Sequence, residues 1–288
     1  MDGVLAVDKP AGMTSHDVGD EVRRRLHTKK VGHGGTLDPD ATGVLVIGVG
    51  RATKLLRYAQ TFPKRYRAVA RFGTTTTTQD ASGEVVEERP ASITGGEVSI
   101  ALDGLVGEID QVPPMVSAVK VGGERLYRKA LRGEEVERAA RRITVYSLDL
   151  VDFTEAGPTG APEATIDVSC SSGTYVRTLV HDVGAALGCG AHLLSLRRTA
   201  AGGWSEGDTV SLDSLGAGDV RPLAEAVREL PALEVGEVDA AHVAHGRPLD
   251  PPRGAPASGL VALLHAGELL GVYRSEGSKL VADRVVPR

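Results

Sequence analysis

The sequence predicts an α+β chain ending in a small β-rich module, and three observations predict it. Strand-like and helix-like segments are intermixed through roughly the first 200 residues, with apolar spacing switching between alternation or short runs and four-residue steps. Beyond Gly203 the composition shifts: Pro231, Pro248, Pro251, Pro252 and Pro256 punctuate a region of short apolar strands. The length of 288 residues fits about two domains. A composition of 41% hydrophobic and 25% charged residues is that of an ordinary globular chain.

The elements follow in order. Val4-Leu5-Ala6-Val7 reads as a short strand that ends at Asp8-Lys9-Pro10, with Gly12 marking a turn. Ser15 reads as the N-cap of a helix to about Leu26, whose face carries Val18, Val22 and Leu26. After a glycine-rich loop, Gly43 to Val49 is a nearly continuous apolar run suited to a buried strand. Thr53 to Gln60 reads as helix. Arg65-Tyr66-Arg67-Ala68-Val69-Ala70-Arg71 alternates as a strand with one wet face does. The tract Thr74 to Thr78 favours extended backbone. Ile100 to Val106 reads as helix, stopped by Pro113-Pro114. Strands are expected at 144–153 and 165–170; a turn at 171–173 leads into Thr174-Tyr175-Val176-Arg177, then a helix to about Leu187 and a short segment at 193–199. Three terminal strands are expected near 260–264, 269–273 and 280–286.

Several function classes fall away. Cys170 and Cys189 make no disulfide framework and no C-x-x-C zinc pattern, so no metal is expected. No apolar run approaches 18 residues, which argues against a membrane span. The first residues lack a basic stretch followed by a long apolar one, so the expected location is cytoplasmic. The net charge of −5 alone argues against a polyanionic partner. Its distribution argues otherwise. Residues 1–72 hold 13 basic and 7 acidic side chains, while 205–288 hold 8 and 13. The basic quarter contains the glycine-rich loop and the Arg65–Arg71 strand with Tyr66. A basic strip with an embedded aromatic suits single-stranded nucleic acid, although a solvated strand face accounts for it as well.

The most informative stretch is Gly32-His33-Gly34-Gly35-Thr36-Leu37-Asp38-Pro39-Asp40-Ala41-Thr42-Gly43. Its glycines permit close backbone approach to a ligand, and it lacks the ending of a P-loop. Asp38 sits in a tight loop just before a buried strand; alone, an Asp before Pro reads equally as a turn former. This stretch resembles the catalytic motif of the bacterial tRNA pseudouridine synthase B family. Further segments match in order: Asp8-Lys9-Pro10-x-Gly12, Lys64-Arg65-Tyr66, Gln111-x-Pro113-Pro114-x-x-Ser117-Ala118-x-Lys120, Ser172-Gly173-Thr174-Tyr175-Val176-Arg177, and Gly190-Ala191-His192-x-x-x-Leu196-Arg197-Arg198. The resemblance spans roughly residues 3–203.

The resemblance implies a pseudouridine synthase fold: a mixed, largely antiparallel central sheet flanked by helices, with a PUA-like C-terminal domain. The catalytic domain is expected over 1–230, with an RNA-gripping insertion near 121–142, and the terminal domain over 231–288. The implied reaction converts uridine to pseudouridine at position 55 in the T loop of tRNA, an isomerisation that needs no cofactor. Asp38 is the implied catalytic carboxylate and Arg177 its cationic partner. Tyr66 stacks on the flipped uracil, His33 occupies the space the base leaves, and Tyr175 and Leu196 line the pocket. Lys9 and Arg198 join the expected substrate contacts. The implied partner is a tRNA T stem-loop, with no obligatory protein partner and a monomeric state. In the 121–142 stretch, Arg125, Arg128, Lys129, Arg132, Arg141 and Arg142 fit phosphate contacts, while the interleaved glutamates fit a solvated helix equally. Two rival readings make different demands on the sequence. An RNA-binding protein without catalysis would not need the Asp38, Arg177 and Tyr66 set. A carboxylate hydrolase would need a second carboxylate or a metal.

Overall fold

The computed structural model describes residues 1–115, 120–121, 124–125, 132, 136–157 and 160–287. Ser117, Ala118, Arg128 and Lys129 of the sequence reading lie outside these residues, as does most of the expected insertion. The observed architecture is α+β, with mixed sheet, flanking helices and a small sheet near the C-terminus. Contacts group the chain into two units, one of Met1–Pro39, Gly43–Phe62 and Ala200–Arg288, the other of Asp40–Thr42 and Pro63–Thr199.

In the first unit, strand β1 (Gly3–Lys9) pairs antiparallel with β3 (Thr42–Val49) and parallel with β14 (Thr209–Ser211). The short β2 (Val31–His33) pairs with β3. One face of β1 and β3, through Leu5, Val7, Leu45, Ile47 and Val49, packs on Val18, Val22 and Leu26 of helix α1 (Ser15–Arg25). The other face, through Val4, Ala6, Val44 and Val46, packs with Leu55, Leu56 and Tyr58 and with Trp204, Ala226 and Val227. Burial on both faces explains the unbroken apolar run of β3. Helix α1 begins one residue earlier than the Ser15 cap expected. Thr14 is the N-cap, in a reciprocal capping box with Asp17. Ser15 is buried instead, with a different task described below.

The expected helix at Thr53 to Gln60 is a 3-10 turn over Gly50–Lys54 followed by the short α2 (Leu56–Thr61). The terminal strands form a four-stranded sheet in the order β15 (Ala232–Glu234), β16 (Gly259–His265), β17 (Glu268–Glu276), β18 (Lys279–Val285). Helix α5 (Glu237–Ala244) adds Ala240 and Val243 to its core of Val261, Leu263, Tyr273 and Leu280. The other face of this sheet contributes Ala262, Leu269 and Val272 to the cluster that includes Val4 and Ala6. Asp283 accepts hydrogen bonds from Arg57 and from the Tyr58 hydroxyl. Burial is the main cause that pushes that phenol up to about 12.

In the second unit the strand order is β12 (Ala191–Ala201), β4 (Lys64–Phe72), β11 (Glu163–Cys170), β10 (Arg141–Thr154), β7 (Gly107–Gln111). Off this sheet, β5 (Thr74–Thr76) pairs with β6 (Val85–Glu88) and β8 (Lys120–Val121) with β9 (Glu124–Arg125), while the short β13 (Trp204–Ser205) pairs with the end of β12. The pairs β4–β11, β11–β10 and β10–β7 are antiparallel. Helices α3 (Gly95–Asp103) and α4 (Val176–Ala186) bring Val98, Leu102, Val176, Leu179, Val180 and Val183 to a core with Ala68, Ala70, Phe72, Ile166 and Val168. Gly184 lets α4 close on β12, because a Cβ there would lie 2.2 Å from the Ala191 nitrogen. Helix α3 starts and ends earlier than the Ile100 to Val106 expected. Thr94 and Glu97 form a capping box that recruits Gly95 and Gly96 into the first turn, against their weak propensity.

The basic strip divides across its strand. Lys64, Tyr66, Ala68, Ala70 and Phe72 share the core-facing side of β4, while Arg65, Arg67, Val69 and Arg71 share the opposite one. On that opposite side Arg67 makes a two-bonded pair with Asp167, at 2.8 Å for each bond, and Arg71 pairs with Glu163 at 2.9 Å. The strand alternation therefore separates Tyr66 from the arginines beside it in sequence. The positive sum over residues 1–72 is further reduced by Arg23–Asp20, Arg24–Glu21, Arg25–Glu21, Arg51–Asp2 and Arg57–Asp283. Among the described residues, Lys29, Lys30, Lys54 and Arg65 are the exposed cations of this quarter that enter no ion pair. Of the 121–142 arginines, Arg141 and Arg142 lie in β10, and Arg142 reaches Asp110 at 3.2 Å and Glu108 at 3.5 Å.

Candidate active site

The loop carrying Asp38 is tied on both sides of that residue. Before it, Leu37 is buried, and its N–H donates to the Ser15 hydroxyl at 2.9 Å while its carbonyl accepts from the same oxygen at 3.3 Å. After it, the Pro39 carbonyl accepts from the Lys9 ammonium at 2.7 Å and from the Gly12 N–H at 3.0 Å. Upstream, the Gly34 N–H donates to Val46 at 2.7 Å, and Gly35 holds φ at +137°, a backbone state suited to glycine. Asp38 itself is exposed between its anchored neighbours. A braced backbone holds the position from which such a side chain is presented.

Lys9 braces the same loop. Placed by resemblance among substrate contacts, it has no exposed surface, and its ammonium donates to the carbonyls of Pro10, Met13 and Pro39 at 2.8, 2.6 and 2.7 Å. Its geometry is that of a brace under the Asp38 loop. Lys9→Met leaves those carbonyls short of a donor and is expected to cost roughly 2–3 kcal/mol of stability. An unchanged denaturant midpoint would remove this role. His33, the remaining candidate in the first unit, ends β2 opposite Ile47 and is half-buried.

In the second unit, Arg177 is buried in the first turn of α4, and its guanidinium donates to Asp80 at 3.1 Å. Asp80 is the residue the sequence reading missed. Burial alone would raise its pKa. Hydrogen bonds from the hydroxyls of Ser82 and Thr78, the charge of Arg177 and the Ser82 N–H together bring it below the usual aspartate value. The loop is pinned further: Thr178 donates to the Gln79 side chain at 2.8 Å, and Gln79 holds φ at +64°. The available signal was Asp80 two residues before Ser82 after a threonine tract, the composition of an Asx turn.

Tyr175 is half-buried as the N-cap of α4, with its ring centroid 5.8 Å from the Arg177 guanidinium carbon. Tyr66 and Leu196 are half-buried and pack on the same core cluster as α4. Arg198, expected among the substrate contacts, is 2% exposed, and its charge bears on buried Lys64. Burial first, and Arg198 second, push the Lys64 ammonium down to about 8 from 10.5. Below about pH 8 both folded and unfolded chains hold this proton, and the fold carries the full burial penalty. Between about 8 and 10.5 the unfolded chain holds a proton that the folded chain has lost, so stability rises with pH. Relative to Lys64→Met, the wild-type unfolding free energy is expected to rise by about 1 kcal/mol per pH unit across that window. A flat difference between pH 8 and 10 would contradict it.

The comparisons with known proteins bear on this arrangement. The family model described as TruB family pseudouridylate synthase (N terminal domain) matches residues 23–176, and that of the tRNA pseudouridylate synthase B C-terminal domain matches 177–229. The chain belongs to the TruB family of pseudouridylate synthases. It is 53% identical over 249 residues to the tRNA pseudouridine synthase B of Symbiobacterium thermophilum, covering 85% of this chain and 82% of that one. The enzyme of the same name from Thermobifida fusca is 49% identical, with 91% of each chain covered. Among solved structures, one described as a Cbf5-Nop10-Gar1 complex aligns with a TM-score of 0.76 at 27% identity, covering 99% of this chain and 85% of that one. This TruB-family chain thus carries the α+β fold that its motifs imply. Among the described residues no helix is long and apolar enough to cross a membrane.

Proposed function

We propose that the protein isomerises uridine to pseudouridine at position 55 in the T loop of tRNA, with Asp38 as the reacting carboxylate. The observation that carries this reading is the Asp38 loop, braced at Leu37 and Pro39, in a chain of the TruB family. The glycosidic C1′–N1 bond breaks, the uracil turns, and a C1′–C5 bond forms. N1 ends protonated and C5 gives up its hydrogen, so no redox partner or group donor is consumed. The target base must leave the T-loop stack, at a cost of a few kcal/mol that contacts with the flipped base offset. Tyr66 supplies a ring for stacking, Tyr175 and Leu196 apolar walls, and Arg177 a fixed positive charge. His33 serves the space left in the loop.

The partner is the T stem-loop of tRNA, bound by a monomer in the cytoplasm. Lys29, Lys30, Lys54 and Arg65, exposed and outside ion pairs among the described residues, are suited to phosphate contacts that position the RNA without reading its sequence. The test is incubation with an unmodified tRNA transcript followed by site-resolved pseudouridine mapping. Product at the T-loop position is expected. Product at another site alone, or none, would overturn the assignment.

A further inference from the structure

Gln111 is buried, 3% exposed, at the end of β7, and its side chain reaches across to the start of α4. Its carboxamide oxygen accepts from the Tyr175 N–H at 2.8 Å, and its carboxamide N–H donates to the Tyr175 carbonyl at 3.1 Å. One side chain thus satisfies both main-chain polar groups of one residue, as a neighbouring strand would. Tyr175 caps α4 without a side-chain cap of its own, and its carbonyl also accepts from Thr178 and Leu179 at 3.1 and 3.2 Å. Gln111 therefore fixes the residue from which the helix, and Arg177 two positions on, takes its direction.

The position of Gln111 is itself held. Its Cα is paired with that of Arg141 at the end of the β7–β10 ladder, and two residues on the Pro113 carbonyl accepts from Arg138 at 3.0 Å. On the far side of Tyr175, Arg177 is engaged with Asp80, and Thr178 with Gln79. The start of α4 is thus gripped from two directions, by the Asp80 loop through side chains and by Gln111 through the main chain. The second grip needs both a donor and an acceptor at the tip of a side chain of this length, which among the common residues means glutamine.

We propose that Gln111 is a positioning residue for the reaction: by clamping the Tyr175 main chain it sets the Tyr175 ring and the Arg177 guanidinium where the flipped uridine needs them. This rests on the functional reading above. Gln111 touches no substrate in this role, so the rate of the bound complex should suffer and RNA affinity should not.

The experiment compares wild type, Gln111→Met and Gln111→Glu on an unmodified tRNA transcript, under single-turnover conditions and at steady state. Methionine keeps the volume and removes both hydrogen bonds. Glutamate keeps the acceptor and sets a second oxygen against the Tyr175 carbonyl. Both variants are expected to lose roughly 10–100-fold in single-turnover rate, about the scale of a small misplacement in an active site. The KM for tRNA should stay within about twofold of wild type. A pure packing role predicts wild-type rates for the isosteric methionine variant, and that result would overturn the proposal. So would a rise in KM with kcat unchanged.

A cycle with Asp80→Asn adds a readout that simple destabilisation would not move. Because both residues act on one helix start, the double variant should be scarcely slower than the slower single one, and multiplicative losses would argue against a shared task. Should Gln111→Met lose its cooperative melting transition, Gln111→Glu carries the same split and the same cycle. Inactivity of the wild type on the transcript would count against the functional reading; an active wild type with fully active variants would count against Gln111 alone.

Discussion

Asp38→Asn is expected to reduce pseudouridine formation by a factor on the order of 10⁴ or more, the scale seen when a group that enters the reaction is removed. Asparagine keeps the shape and loses the charge. The fold should hold, because the backbone anchors of the loop belong to Leu37 and Pro39. RNA binding should hold as well. Affinity for a polyanion comes mainly from phosphate contacts, and removing one negative charge from the binding side weakens none of them. Measured by filter binding or fluorescence, Kd is expected to stay within about threefold of wild type, with any change toward tighter binding. Undiminished product from a purified Asp38→Asn protein would remove the carboxylate from the mechanism. Loss of RNA binding together with product would recast Asp38 as a structural residue.

The second large effect is expected at Asp80. Arg177 is buried, and Asp80 pairs with it at 3.1 Å. Asp80→Ala leaves a buried guanidinium short of this counter-charge, which typically costs about 3–5 kcal/mol. It also removes the acceptor for Thr78 and Ser82 that shapes the loop. Turnover is expected to fall roughly 100-fold or more, since Arg177 loses a defined position. Asp80→Asn should fall between alanine and wild type in stability, because the amide oxygen still accepts from the two hydroxyls. Linkage adds a sign that can be checked. The folded-state pKa of Asp80 lies below the ordinary 3.8. Its contribution is therefore full above pH 3.8 and fades as pH falls through the lower folded value. The stability gap between wild type and Asp80→Asn should narrow on acidification, and a gap that widened would contradict the pairing. Unfolding midpoints near neutral pH, together with single-turnover rates, decide the rest.

Much of the fold was legible because it rests on local periodicities. The run Gly43 to Val49 announced a strand buried on both faces, and β3 has α1 on one side and the cluster of Leu55, Leu56 and Trp204 on the other. The spacing of Val18, Val22 and Leu26 announced the buried face of α1. Where the reading slipped, a neighbouring signal competed: Thr14 with Asp17 outranked Ser15 as a cap, and Thr94 with Glu97 pulled α3 forward over two glycines. The candidate site was legible in part for a different reason. A glycine-rich loop with a carboxylate is contiguous in sequence, so Asp38 stood out there, and the family resemblance of that stretch added His33.

By itself the sequence determined the residue types along each element, their alternation, the candidate carboxylate and the family resemblance. Tertiary structure alone decided which charges meet. Arg65, Arg67 and Arg71 read as a basic strip, yet Asp167 and Glu163 reach Arg67 and Arg71 through the antiparallel register of β4 and β11. Nothing local in the sequence shows that Lys9 and Arg198 are buried, and both are. Asp80 and Gln111 acquired their significance only when a loop and a strand end were brought against the start of α4. The physical reason is range. Helix and strand periodicity is set by neighbours within a few residues, whereas an ion pair or a hydrogen-bonded brace depends on the register and burial of segments distant in the chain.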